Sequence, residues 1–138
     1  MKKIIPLFLL ALTLSACSLL PQNNKVVDPT PEIEPTRPQG QAVKNFSSQE
    51  VSLDFYFENN KYLYYGKVTL PNPCYQVQVD ALIAESFPEQ VTLNIVTQDS
   101  GQICVQIISE KVIAGVLQVS KDATFRVKLN GQEVPATK

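Results

Sequence analysis

The sequence predicts an all-β protein, and three observations predict it. From about residue 46 onward apolar and polar residues alternate with period 2, the spacing of a strand with one buried face. Turn-forming or chain-breaking groups interrupt this alternation roughly every 8–14 residues, as they do between short antiparallel strands. No segment carries a sustained apolar period of 3.6, although Asp80–Glu89 has room for a single helical turn. About seven strands in about 90 residues is the size of an immunoglobulin-like antiparallel β-sandwich; a small β-barrel is the alternative.

Val51, Leu53, Phe55 and Phe57 alternate with Ser52, Asp54, Tyr56 and Glu58, and Asn59-Asn60 supplies a turn. Tyr62, Tyr64, Gly66, Val68 and Leu70 form the next set, which Pro71-Asn72-Pro73 ends. Tyr75, Val77, Val79, Ala81 and Ile83 alternate with Gln76, Gln78 and Asp80 before the break at Phe87-Pro88-Glu89. Val91, Leu93 and Ile95 precede a turn at Asp99-Ser100-Gly101; Ile103, Val105 and Ile107 read as a further strand, followed by Ile113–Val119. Phe125, Val127 and Leu129 lead into Asn130-Gly131, a strong hairpin signal because both positions tolerate positive φ.

The first 44 residues follow different rules. Met1-Lys2-Lys3 precedes an apolar run from Ile4 to Leu14, the layout of a secretory signal and too short for a bilayer, which needs about 20 residues. Leu14-Ser15-Ala16-Cys17 comes next, and this closely resembles the lipobox of bacterial lipoproteins. The resemblance implies removal of residues 1–16 as a signal peptide, a diacylglycerol on Cys17, and an exported protein whose partner is the lipid bilayer. Two or more chains anchor a protein stably where one does not. Ser18 in place of aspartate implies the outer membrane if the source has two membranes, and otherwise the outer face of the cytoplasmic membrane. Residues 17–44 hold five prolines among Gln, Asn and Thr with no apolar period. This composition favours neither helix nor sheet and predicts a disordered tether, leaving residues 45–138 as the domain.

Cys74 and Cys104 remain after Cys17. In an exported all-β domain an even pair reads as one structural disulfide; no Cys-x-x-Cys or histidine is present to make them redox-active. Pro71-Asn72-Pro73-Cys74-Tyr75-Gln76-Val77 together with Ile103-Cys104-Val105-Gln106 also resembles a group of small bacterial lipoproteins. That resemblance spans about residues 64–134 and implies a disulfide-stapled sandwich, with no activity attached.

Composition excludes most catalytic designs. The 138-residue chain has no histidine, so it has no Ser-His-Asp or Cys-His unit and no histidine-bound zinc. A net charge of −1 excludes the basic field of a nucleic-acid binder. Asp54 and Glu58, four apart on one strand face, would stand about 13 Å apart, outside the spacing of glycosidase carboxylate pairs. The five glycines are isolated, so no phosphate loop is present. No cofactor, metal or catalytic residue is expected. The concentrated chemistry is tyrosine: Tyr56, Tyr62, Tyr64, Tyr65 and Tyr75 form a candidate interaction surface, since tyrosine offers rigid contact area with a polar tip. Gln76, Gln78, Gln106 and Gln118 mark polar outer faces. The expected function is a non-catalytic binding or structural module of the cell envelope, its partner an envelope protein or glycan. The alternative is an inhibitor of a secreted or envelope hydrolase, presenting loops 71–74 and 98–102.

Overall fold

The computed structural model describes residues 35–137. The signal segment and the tether as far as residue 34 lie outside them. The described chain forms nine strands and no helix: β1 (Lys44–Ser47), β2 (Val51–Glu58), β3 (Lys61–Leu70), β4 (Tyr75–Ala84), β5 (Gln90–Asp99), β6 (Ser109–Leu117), β7 (Thr124–Leu129), β8 (Gln132–Val134) and β9 (Ala136–Thr137). They build two open sheets, β6-β3-β2-β1-β9 and β4-β5-β7-β8. This is the sandwich read from the alternation, and no barrel closes. Its connectivity is a β1-β2-β3 meander followed by repeated crossing between sheets, rather than the interleaved ABED and CFG order of an antibody constant domain. All pairings are antiparallel except β5 with β7, which are parallel because the chain visits the other sheet as β6 between them.

The hairpin turns follow from local chemistry. Asn59 and Asn60 take φ of 50° and 60° between β2 and β3, and Asn130 and Gly131 take 48° and 83° between β7 and β8. Successive left-handed residues match the right-handed twist of paired strands. The interior is filled by the inward set of each strand: Val51, Leu53 and Phe55; Val68 and Leu70; Val91, Leu93 and Ile95; Ile113 and Leu117; Val127 and Leu129. Phe125 of one sheet meets Phe55 (4.6 Å between centroids) and Tyr62 (4.7 Å) of the other, at tilted and edge-on angles, the arrangement that aromatic quadrupoles favour.

Two expectations change. The run Ile103–Ile108 alternates like a strand but is not one: residues 100–108 form the irregular connection from β5 to β6. Its alternation has no buried face, and Ile103, Val105, Ile107 and Ile108 are all exposed. The region Asp80–Glu89 holds no helical turn, because β4 runs through to Ala84 before a bend. Short β1, β8 and β9 add to the strand count, each being too brief to show a period.

The chain is also laid on the sheet upstream of residue 45. Val43 donates to the Phe55 carbonyl at 2.7 Å, and Arg37 reaches the outer face of β2. Pro35–Gly40 therefore carries contacts that composition alone assigned to the tether.

Candidate interaction surface

The five tyrosines do not form one surface. Tyr62 points into the sandwich, 2% exposed, and donates its hydroxyl to the Lys121 carbonyl at 2.7 Å. Burial, with the Asp122 charge second, raises its pKa. Tyr64 is half-buried against the core, beside Phe55, and burial raises its pKa too. Tyr75 packs partly against the core at the start of β4. Tyr65 lies half-buried on the outer face of β3, opposite Asp54 and Ala114.

Tyr56 stands on that same outer face and yet is only 2% exposed. The upstream segment covers it. Arg37 Nε donates to the Tyr56 hydroxyl at 2.8 Å, while Nη2 donates to Asp54 at 2.5 Å. Asn45 Nδ2 donates to the other Asp54 oxygen at 2.6 Å. Hydrogen bonding to Tyr56, then the charges of Tyr56 and Asp54, raises the Arg37 pKa. Asp54 is thus occupied as an anchor and is not paired with Glu58 for chemistry. Beside this contact Pro35, Thr36 and Pro38 border an open groove of about 390 Å³ with Leu63, Ala114 and Val116.

The glutamines separate as well. Gln76 and Gln78 border a shallow polar depression on the outer face of the β4-β5 pair together with Gln98. Gln106 lies in the β5–β6 connection and Gln118 just past β6. Among the described residues no group of three or more acidic or cysteine side chains could hold a metal.

The apolar surface lies instead where the strand reading failed. Ile103 is fully exposed, and Val105, Ile107 and Ile108 are 61%, 65% and 74% exposed. Other large apolar side chains are exposed elsewhere, Leu82 and Phe87 among them, but only this connection places four within six residues. The connection is shaped from within. Gly101 adopts φ 72° and donates to the Asp99 carboxylate at 2.9 Å, Ile107 donates to the Val105 carbonyl at 3.0 Å, and Gln106 Nε2 donates to the Cys104 carbonyl at 3.3 Å. One covalent bond ties it down. Cys104 is joined to Cys74 with Cα atoms 6.1 Å apart, within the usual disulfide range. Cys74 is itself placed by Asn72, a buried polar residue whose Oδ1 accepts from the Cys74 amide at 3.0 Å. Sequence reasoning found both cysteines and the bridge. It missed the exposed apolar connection, because period 2 looks the same with or without a partner strand, and it missed Arg37, whose partners lie 17 and 19 residues away.

No curated protein and no solved structure is significantly similar to the chain. Residues 1–18 match the prokaryotic membrane lipoprotein lipid attachment site. The match contains Cys17 and ends before the sandwich domain. By its export signal, the chain is a membrane-anchored bacterial lipoprotein.

Proposed function

We propose that the sandwich is a non-catalytic binding module of the cell envelope, held at the membrane by lipid on Cys17, and that it engages an envelope protein through the connection 100–108. The observation that carries this reading is the exposure of Ile103, Val105, Ile107 and Ile108 on a segment pinned by Cys74–Cys104. Exposed apolar groups gathered in one place mark interaction sites, and pinning the loop in advance lowers the entropy lost on binding. Ser18 after the lipidated cysteine supports the outer membrane as its location in a two-membrane cell. The absence of histidine and the dispersal of carboxylates support a role without catalysis. The same disulfide-tied loop supports a second reading, inhibition of an envelope hydrolase, in which 98–108 enters a cleft.

The test is cross-linking in intact cells, comparing the native lipoprotein with Ile103→Asp/Val105→Asp. An envelope protein captured by the native form and lost with the double substitution is the expected result. A captured hydrolase whose activity falls in the presence of the lipoprotein selects the second reading. Equal capture by both forms overturns the assignment of this loop.

A further inference from the structure

The sandwich has four sheet edges, and they differ in length and charge. β8 and β9 are three and two residues long and are separated by Pro135. β6 carries Glu110 and Lys111 at one end and buries its inward residues Ile113 and Leu117. The fourth edge, β4, is ten residues long, pairs with β5 in an unbroken register, and contains no proline, lysine or arginine. Its single charge is Asp80, on the outer face. Native proteins blunt edges by shortness, charge, proline or bulges, and β4 uses none of these beyond that one aspartate.

The inward row of β4 is also unfinished. Val91, Leu93 and Ile95 of β5 are at most 1% exposed, whereas Ile83 and Ala81, their neighbours across the ladder, are exposed, Ile83 at 46%. Leu82 on the other face is 63% exposed. The core facing β4 ends before β4 does.

We propose that β4 pairs antiparallel with β4 of a second copy of this chain about a two-fold axis through Val79, joining two four-stranded sheets into one of eight. The strand is self-complementary in that register. Directly opposed residues share a face, so the paired residue numbers must have equal parity. Centring on Val79 sets Tyr75 opposite Ile83, Val77 opposite Ala81 and Val79 opposite itself, an apolar inward row across the junction. On the outer face Gln76 meets Leu82, and Gln78 meets Asp80, its hydrogen-bond acceptor within one chain at 2.9 Å. Moving the centre to Asp80 would oppose two like charges, which is destabilising. Moving it to Gln78 would leave Leu82 and Ile83 unpaired. Such a contact is isologous, as a two-fold dimer requires; of the five tyrosines it uses only Tyr75, and it uses no residue of the connection 100–108. It therefore stands or falls separately from the function proposed above.

The experiment is copper-phenanthroline oxidation of membranes holding the full-length lipoprotein with Val79→Cys, set beside Gln76→Cys. On the two-fold, residues 79 lie about 4.5–5.5 Å apart between Cα atoms, within disulfide reach. Residues 76 lie about 20 Å apart along the strands. A dimer whose peptide map contains a 79–79 cross-link, at least ten-fold more abundant than any 76–76 cross-link, is expected. Adding Ile83→Lys to Val79→Cys should reduce the cross-link at least ten-fold while Cys74–Cys104 stays intact. Absence of the 79–79 product, equal cross-linking at both positions, or a disulfide from the thiol introduced at position 79 to a different protein overturns the proposal.

Discussion

Single side chains in this domain matter through short-range geometry that can be tested one at a time. Glu89 accepts from the Ser120 hydroxyl at 2.5 Å and from the Ser120 amide at 3.2 Å, tying the start of β5 to the β6–β7 connection. The hydroxyl bond is the main cause holding the Glu89 carboxyl below the usual carboxylate range. A carboxyl depressed in the folded state stabilises it above the ordinary carboxylate value, and that contribution is lost as pH falls through the folded value. Ser120→Ala should raise the Glu89 pKa toward the ordinary value, read by NMR titration of its side-chain carbon. An unchanged midpoint would show that the hydroxyl is not the cause. Gly66 makes the second case. A Cβ there would collide with the Ser52 carbonyl oxygen and stand 2.7 Å from a Leu53 methyl, so β2 and β3 approach each other only because position 66 has no side chain. Gly66→Ala should cost about 3 kcal/mol through overpacking, measured by urea unfolding. Gly115→Ala should cost less, since it meets the outer end of the Tyr64 ring rather than backbone.

At the level of elements, strands were legible where the period recorded burial and misleading where it did not. β2, β3, β4, β5 and β7 carry the alternation that the sequence shows, because each has one face on the core. The stretch 103–108 has the same pattern, but no neighbouring strand meets it, so its apolar residues face solvent. The disulfide could be read without knowing that, since it needs proximity and not a strand. Cys104→Ser should destabilise the domain by about 2–5 kcal/mol while leaving its strands assembled. Thermal unfolding with and without reductant measures the loss, and an unchanged midpoint would mean that the bridge constrains little. The Pro-rich segment was misleading in the other direction. Low hydrophobicity forecast a tether through residue 44, but Arg37 finds Asp54 and Tyr56 on the sheet. A charge pairing across that separation leaves no periodic trace.

For the whole molecule, the address and the architecture are separate problems. Cys17→Ser should leave the protein uncleaved, or soluble in place of membrane-bound, as read by detergent partitioning. Normal lipid labelling of that variant would place the attachment elsewhere. The sequence by itself determined the lipoprotein signal, the all-β class, the turn positions and the one disulfide, because each depends on residues adjacent in the chain or on a pair with a single solution. Tertiary structure alone decided which apolar rows are covered. It buried Tyr56 and Tyr62, exposed Ile103, Val105, Ile107 and Ile108, and left β4 as an open edge. Burial depends on what lies across a sheet or on top of it. In this fold those neighbours come from far along the chain, so no local pattern encodes them.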